Sequence, residues 1–396
     1  MKEVLDYIKN NWKNTIRKPQ NGVPYPFTSP SIEEMYKDFY YWDNYFTNKG
    51  LLLDGFEDQV KNNLDNIAYF INKIGYMPNA NTLLNRTQPP FFSRMIKDFY
   101  EFKKDKEILN LYLPILLKEY EFFMTKRINK FGLNEYKCDT TDEDIKIHYD
   151  GLACRVEEYS NTKEGQLRIG KDIIAIAESG LDFNMRFKTN ESRIDISKFL
   201  QLDINCIMFD VENNIAYFYK ELGDNVNSKK YTELANKRKE LINKYFLTDD
   251  RIYLDFNYVE NKFSSIVSAI SLYPYLFGIS DDKNGAKKIF DKLNLKYGVT
   301  VCEKRDDTVF YQWDYPTMWG EFTLLTYDAL MNVGLVKEAE ITKNKFINVI
   351  DSNFKKYHKL FEKYDATNGE ISNAEYQSPD MLGWTAAAYR ILSTIK

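Results

Sequence analysis

Helical periodicity runs through almost the whole chain of 396 residues, and this pattern constrains the fold most strongly. Residues 56–73 place five apolar side chains on one helical face: Val60, Leu64, Ile67, Ala68 and Ile71. Similar stripes predict further helices at 105–128, 195–222, 229–246, 322–333 and 337–351, with shorter ones at 2–16, 90–103, 168–178, 264–275, 283–292 and 380–393. Strand-like alternation is scarce, apart from short pieces such as 251–256. The chain is therefore predicted to be all-α.

Long loops interrupt these helices without dividing the chain. They fall at 18–35, 75–90, 131–167, 179–190, 297–320 and 364–380, and the segment 131–167 is the longest without clear periodicity. Loops of this length in a compact domain are often lids or binding loops. No linker rich in Pro, Gly or Ser and no repeat of fixed length is present. We therefore expect residues 1–396 to form one domain, a ring or barrel of helical hairpins with long loops over one end.

The ionisable composition excludes several classes of function. A net charge of −4 gives no basic excess for binding nucleic acid or anionic lipid. Two isolated histidines, His148 and His358, and four scattered cysteines lack the spacing of a zinc site, so no metal or other cofactor is expected. An enzyme of this composition would have to use carboxylates as its acids and bases. Its aromatic residues, 16% of the chain, would shape the pocket.

The same features bear on where the protein acts. Scattered cysteines in a long chain suggest reduced thiols, and the polar N-terminus lacks the apolar core of a signal peptide. No run of 18 uncharged apolar residues occurs, so no membrane span is expected. The sequence predicts a cytoplasmic protein. It does not indicate an oligomeric state.

Two aromatic segments could form the walls of a sugar site. Aromatic planes cover the apolar C–H faces of a sugar ring, while carboxylates and amides bind its hydroxyls. The first segment spans 36–46 and the second 312–320, and their candidates are Tyr36, Tyr40, Trp42 and Asp43, then Trp313 and Trp319. The alternative is that both segments are only aromatic packing.

Two polar segments could supply hydrogen bonds to a ligand. Their candidates are Asn79, Arg86 and Gln88 in 77–90, and Arg155 and Glu157 in 155–159. Guanidinium and amide groups donate to hydroxyls or a carboxylate. The alternatives are an ordinary loop before a helix for the first segment and a solvated charged surface for the second.

Two further segments contain carboxylates suited to acid and base chemistry. Gly180 and Asp182 lie in 177–183, where the apolar neighbours of Asp182 would raise its pKa and suit it to act as a general acid. The second segment contains Glu375, Tyr376 and Trp384. A sugar hydrolase needs one acid to protonate the leaving oxygen and a second carboxylate on the opposite face of the sugar, so Glu375 is a candidate partner of Asp182. The alternatives are a turn Asp after a helix cap and a solvated loop Glu.

In their order along the chain and in their residues, the six segments resemble the motifs of the trehalase family of glycoside hydrolases. The family run Y-Y-W-D-S-Y-F is similar to 40–46, and N-R-S-Q-P-P is similar to 85–90. R-P-E-S-Y resembles 155–159, A-E-S-G-W-D-F resembles 177–183, and Q-W-D-x-P-x-G-W resembles 312–319. The family ending E-K-Y-D…G-G-E-Y…G-W-T resembles 362–365, 374–376 and 383–385. Nearly the whole chain, about residues 24–390, takes part.

This resemblance implies an (α/α)6 barrel that hydrolyses a small carbohydrate with inversion, most readily trehalose. It implies that Asp182 is the general acid and Glu375 the general base, about 6.5–9.5 Å apart. The residues implied for the glucose site are Trp42, Asp43, Asn79, Arg86 and Trp313. Those implied for the second sugar are Arg155 and Glu157.

Departures from the family pattern leave the leaving group open. The family arginine of P-G-G-R-F falls at Met35, the tryptophan before the acid is Leu181, and the glycine run before Glu375 is 371–374. Mannosylglycerate and glucosylglycerate hydrolases of the same barrel fold share the arrangement of Tyr36 with Trp42 and Asp43, and they are alternatives. A non-catalytic sugar-binding relative is another. A sugar epimerase fits less well, because its base pair would typically include histidine.

Overall fold

The computed structural model describes residues 1–305, 311–380 and 383–395. Within them the chain forms fourteen α-helices: α1 (Lys2–Thr15), α2 (Asp43–Leu53), α3 (Glu57–Ile74), α4 (Phe92–Lys103), α5 (Lys106–Lys126), α6 (Asp142–Val156), α7 (Lys163–Glu178), α8 (Leu202–Glu221), α9 (Asn225–Phe246), α10 (Tyr273–Leu276), α11 (Lys283–Leu293), α12 (Gly320–Asn332), α13 (Val336–Tyr357) and α14 (Trp384–Leu392).

Six of these helices form a closed ring. In order, α2 packs against α4, α4 against α8, α8 against α10, α10 against α12, α12 against α14, and α14 returns to α2. Four of the ring helices, α2, α8, α12 and α14, are buried over most of their residues. Helices α1, α3, α5, α9 and α13 pack on the ring, and α11 packs beside α10 against the 3₁₀ turn Ala269–Leu272. This arrangement confirms the predicted (α/α)6 barrel.

The strands are short and join loops to one another. They are β1 (Ile16–Arg17), β2 (Phe27–Thr28), β3 (Phe199–Leu200), β4 (Phe256–Asn257), β5 (Lys262–Phe263), β6 (Thr317–Trp319) and β7 (Lys363–Asp365). All pairings are antiparallel, in the sets β1–β2, β3–β4–β5 and β6–β7. The β6–β7 pair matters most for the site, because it aligns Trp319 with Lys363.

The N-terminal ends of four ring helices meet at one end of the barrel. Trp42 and Asp43 begin α2, Gln88 precedes α4, Trp319 precedes α12 and Trp384 begins α14. The backbone N–H groups at a helix N-terminus favour negative charge nearby. The long loops between helices cover this end, as predicted, and they surround the pocket described below.

Two helices, α2 and α6, were not predicted from the periodicity of apolar residues. Helix α2 has no polar stripe to reveal it, because nine of its eleven residues are buried. The prediction that 131–167 is a loop is wrong, because this segment contains α6 and the beginning of α7. The Thr141 side chain caps α6 by accepting a hydrogen bond from the backbone of Asp144, and three acidic residues in its first turn complement the helix dipole.

Other helices and strands begin or end at residues that differ from the predicted ones. The helix predicted at 195–222 begins only at Leu202, after a 3₁₀ turn and β3, and the one at 264–275 is a 3₁₀ turn followed by the short α10. The strand predicted at 251–256 is reduced to Phe256–Asn257, where β4 pairs with β3 and β5. Residues 306–310 of the predicted loop 297–320 and residues 381–382 of the predicted helix 380–393 lie outside the described residues.

Candidate active site

A pocket of about 230 Å³ opens among the loops at this end of the barrel. Fourteen of the sixteen candidate residues line it: Tyr36, Tyr40, Trp42, Asp43, Asn79, Arg86, Gln88, Arg155, Gly180, Asp182, Trp313, Trp319, Tyr376 and Trp384. The volume lies below the 300–1,000 Å³ typical of sites for drug-sized ligands and suits a smaller molecule. The structure therefore brings together segments that are separated by up to about 350 residues in sequence.

Four tryptophans form the aromatic wall. The rings of Trp313 and Trp319 stack with centroids 3.7 Å apart, and Trp384 packs edge-on against both. Trp42 is tilted by 52° against Trp313 and packs edge-on against Trp384. The indole N–H of Trp319 donates to the carbonyl of Gln312. The indole N–H groups of Trp313 and Trp384 are buried without a hydrogen-bond partner among the described residues. A buried indole N–H usually has a partner, so both are suited to donate to a ligand.

Asp182 lies at the pocket surface after the end of α7. Its carboxyl is 35% exposed, but the exposed part faces the enclosed pocket. Burial by the surrounding protein raises the pKa of Asp182, and the guanidinium groups of Arg155 and Arg86 oppose this rise. The Gln312 side-chain amide and Arg155 both donate to the Asp182 backbone carbonyl, at 2.6 and 3.0 Å. The backbone that carries this carboxyl is therefore held from two sides.

Arg155, in the last turn of α6, joins the two carboxylates singled out by the sequence. Its Nη1 lies 3.3 Å from Oδ2 of Asp182, and its Nη2 and Nε donate to Oε2 of Glu375 at 2.7 and 2.9 Å. Charge-assisted pairs of this kind are strong and directional. Asp182 and Glu375 therefore lie at the same end of the barrel, on either side of one guanidinium.

Glu375 itself does not line the pocket. Its Oε2 is occupied by Arg155, and its Oε1 accepts the backbone N–H of Gln312 at 2.9 Å. The side chain is only 13% exposed. Burial raises the pKa of Glu375, while the Arg155 guanidinium opposes that rise. Both carboxyl oxygens thus have protein partners that hold the loop before α14 against Arg155 and Gln312.

Glu157 is the other candidate outside the pocket. It follows α6 with a positive φ of 51°, its side chain is 54% exposed, and it forms an ion pair with Arg193 at 2.9 Å. It therefore contacts solvent and a neighbouring loop. Met35, at the position of the family arginine, is 60% exposed.

A second pocket carboxylate, Glu362, was quoted among the motifs but not selected as a site residue. It is 3% exposed and lines the pocket. Its Oε1 accepts from the hydroxyl of Tyr376 and its Oε2 from the ammonium of Lys363, both at 3.0 Å. The Tyr36 hydroxyl in turn donates to that of Tyr376 at 3.1 Å. Burial raises the pKa of Glu362, and Lys363 opposes the rise.

Sequence reasoning could not select Glu362 over Glu375. Both lie in one motif-bearing segment, 13 positions apart, and the sequence does not indicate which one faces the pocket. The pairing of β7 with β6 decides it, because it brings the residues next to Glu362 against Trp319. Four other lining residues were also not selected: Pro30, Leu83, Ala177 and Gln312.

Asp43 is a third pocket carboxyl. It begins α2 and is 6% exposed. Burial raises the pKa of Asp43 to about 8, and the nearby carboxylate of Glu362 also raises it. At neutral pH Asp43 therefore carries a proton in most molecules and can both donate and accept hydrogen bonds.

The structure contains no candidate for a metal centre or a membrane-spanning helix within the described ranges. No group of three or more His, Cys, Asp and Glu side chains there could hold a metal ion. None of the described helices is both long and apolar enough to cross a bilayer.

A six-helix ring with a tryptophan-walled pocket lined by carboxyl groups is the architecture of an (α/α)6 glycoside hydrolase. The comparison with protein families is specific: the model of the trehalase family matches residues 7–395. The chain therefore belongs to the trehalase family and is a glycoside hydrolase.

Individual relatives agree with this assignment. The chain is 29% identical to the periplasmic trehalases of Shigella flexneri and Escherichia coli, covering 96% of this chain and 72% of each relative. Neutral trehalase from Saccharomyces cerevisiae has a similar structure, with a TM-score of 0.75 and 22% identity over 98% of this chain and 79% of that one. The GH63 mannosylglycerate hydrolase of Thermus thermophilus has a similar fold, with a TM-score of 0.68 and 13% identity over 100% of this chain and 99% of that one.

The prediction of a cytoplasmic location is corrected by these comparisons. The matching relatives in Shigella flexneri and Escherichia coli are named as periplasmic trehalases, which contradicts the predicted cytoplasmic location. The prediction rested in part on four scattered cysteines, and all four are free thiols in the structure. Free thiols are compatible with either location, so cysteine usage was a weak guide.

Proposed function

We propose that this protein is a trehalase, which hydrolyses trehalose to two molecules of glucose with inversion at the reacting anomeric carbon, and that residues 1–396 act as one catalytic domain. The observation that carries the proposal is that Asp182 and Glu362 line one pocket, whose walls are formed by tryptophan side chains. Membership of the trehalase family and the similarity to periplasmic trehalases support trehalose as the substrate.

In this proposal one glucose ring occupies the pocket. Trp313, Trp319 and Trp384 cover its apolar faces, while Asp43 and Arg86 bind hydroxyls. Arg155 and Tyr376 lie toward the leaving group. The small volume of the pocket supports one enclosed ring, with the second sugar nearer the opening.

Asp182 acts as the general acid and protonates the glycosidic oxygen. Burial raises the pKa of Asp182 and so favours its protonated form, which this role requires. Two hydrogen bonds hold the backbone carbonyl of Asp182, which supports a fixed orientation of its carboxyl toward the glycosidic oxygen. The bond between that oxygen and the anomeric carbon breaks as the proton is transferred.

Glu362, rather than Glu375, is the general base in this proposal. Glu362 lines the pocket and Glu375 does not, although both carboxylates accept hydrogen bonds from the protein. The base removes a proton from a water molecule that attacks the anomeric carbon on the face opposite the leaving group. Tyr376 and Lys363 donate to Glu362 and favour its charged form, against the effect of burial.

The activity is expected to have a bell-shaped dependence on pH. It falls as pH drops through the pKa of Glu362, because the base must be deprotonated, and as pH rises through the pKa of Asp182, because the acid must be protonated. Burial raises the pKa of both groups, so the acidic and the alkaline limb of the pH profile should both have midpoints above the ordinary carboxyl pKa of about 4. The measurement is kcat/KM for trehalose from pH 3 to 9; a profile that stays flat at alkaline pH would contradict the role of Asp182.

A second candidate is hydrolysis of a glycoside with a smaller leaving group, such as mannosylglycerate or glucosylglycerate. The observation that favours it is the loss of two contacts expected for a second sugar: Met35 stands at the family arginine, and Glu157 is turned to solvent. Release of hexose from trehalose, mannosylglycerate and glucosylglycerate is compared at equal enzyme concentration. Glucose from trehalose alone is the expected result, and hexose from a glycerate glycoside alone would replace the proposal. No release from any of the three would favour a sugar-binding relative without turnover.

A further inference from the structure

Gln312 contacts four different parts of the active site with its four polar groups. Its side-chain Nε2 donates to the backbone carbonyl of Asp182 at 2.6 Å, and its Oε1 lies 3.5 Å from the ammonium of Lys363. Its backbone N–H donates to Glu375 at 2.9 Å, and its backbone carbonyl accepts from the indole of Trp319 at 3.0 Å. Gln312 therefore joins the segment of the acid to that of Lys363, the residue that donates to Glu362.

Two neighbours fix the orientation of the Gln312 side-chain amide. The two ends of such an amide have similar sizes, so their partners decide which end is nitrogen. A backbone carbonyl such as that of Asp182 can only accept, and the ammonium of Lys363 can only donate. Nε2 must therefore face Asp182 and Oε1 must face Lys363. A methionine here would offer neither group, and an ionised glutamate would offer no donor.

The contact with Asp182 depends on the side chain of Gln312, whereas neighbouring contacts do not. Residues that follow Gln312 lie along those that follow Asp182. The backbone N–H of Trp313 donates to the carbonyl of Phe183 at 3.3 Å, and the carboxyl of the next residue accepts from the backbone N–H of Met185 at 3.1 Å. A substitution of the Gln312 side chain should therefore remove the donor to Asp182 while the two segments stay together.

We propose that Gln312 is a positioning residue for the general acid, an inference that rests on the proposed function. Its amide holds the backbone of Asp182 so that the carboxyl points toward the glycosidic oxygen, and Lys363 keeps the amide from turning over. Catalytic groups must be held to within about 0.5 Å of their productive positions. Loss of the amide donor should therefore slow the step that needs the acid, while sugar binding and the base are retained.

Gln312→Met tests this role, because methionine has a similar length but forms no comparable hydrogen bond and carries no charge. Two substrates are compared: trehalose, whose leaving group needs a proton, and α-glucosyl fluoride, whose fluoride leaves without one. We expect kcat for trehalose to fall roughly tenfold, the effect of losing one hydrogen bond. The kcat for the fluoride and the KM for both substrates should stay within about threefold of the wild type.

Gln312→Glu tests the donor itself with a side chain of the same shape. Its carboxylate can still accept from Lys363, but an oxygen replaces the nitrogen that lies 2.6 Å from the Asp182 carbonyl. We expect a larger fall in kcat for trehalose than in Gln312→Met. Gln166→Glu is the matched control, because Gln166 in α7 also donates to a backbone carbonyl, that of Ser160 at 3.0 Å, and lies outside the pocket. That variant should have wild-type kcat on both substrates.

Three kinetic results would overturn the proposal. They are wild-type hydrolysis of trehalose by Gln312→Met, equal falls in kcat on the two substrates, which would indicate general structural damage, and a raised KM on both, which would indicate direct contact with the sugar.

A wild type that does not hydrolyse trehalose would contradict the proposed function, and crystal structures then judge Gln312 without turnover. In Gln312→Glu the Asp182 carboxyl should be displaced by more than about 0.5 Å from its wild-type position. A carboxyl that has not moved would overturn the positioning role.

Discussion

Asp182→Asn is expected to lower kcat for trehalose by about 10²–10⁴-fold while leaving the fold intact. The amide occupies the same space and can keep a contact near Arg155, but it has no acidic proton to give to the glycosidic oxygen. A sugar leaving group without that proton would depart as an alkoxide, which is why the loss should be large. The loss is measured by glucose release under saturating substrate.

A substrate that needs no acid makes this test specific. Fluoride leaves without protonation, so Asp182→Asn should retain most of its activity on α-glucosyl fluoride. Asp150→Asn is the matched control, because Asp150 is 57% exposed on the surface of α6 and pairs with Lys146. That variant should be indistinguishable from the wild type. Trehalose turnover by Asp182→Asn within tenfold of the wild type would mean that another group is the acid.

Glu362→Ala is expected to lose activity to a similar extent, about 10²–10⁴-fold in kcat. The truncated side chain leaves a space in the pocket where the base activated water. Sodium azide, which needs no base, should enter this space and attack the anomeric carbon, displacing glucose and forming β-glucosyl azide. The product and its configuration are identified by NMR.

Glu375→Gln separates the two assignments of the base. The variant removes the charge partner of Arg155 but leaves Glu362 in the pocket. We expect a change in KM and a fall in kcat of less than about tenfold, because the group positions Arg155 and is not itself in the pocket. A larger fall in kcat for Glu375→Gln than for Glu362→Gln, together with azide rescue of Glu375→Ala alone, would return the role of base to Glu375.

Much of the fold could be predicted because its outer helices are amphipathic. Helix α3 shows a clear stripe in the sequence and is found within one residue of its predicted bounds. Helix α2 could not be found in this way, since burial on all sides removes the contrast between polar and apolar faces. Helix α6 was hidden for another reason: its capping threonine and acidic first turn stabilise it without a strong stripe.

The candidate site, too, could be predicted from the sequence only in part. Trp42, Arg86 and Asp182 could be selected because aromatic, cationic and acidic groups stood together in segments with a recognisable order. The direction in which a side chain points could not be predicted from the sequence, as Glu362 and Glu157 illustrate. One is turned into the pocket beside the β6–β7 pair, and the other is turned to solvent at the end of α6.

Proton NMR of the first products shows directly whether this protein hydrolyses trehalose with inversion. Trehalose joins two α-glucose units through their anomeric carbons, so inversion at one centre releases one β-glucose and one α-glucose before mutarotation. We expect equal amounts of the two anomers in the earliest spectra. Release of α-glucose alone would indicate retention, and the absence of both would contradict the assignment of trehalose as the substrate.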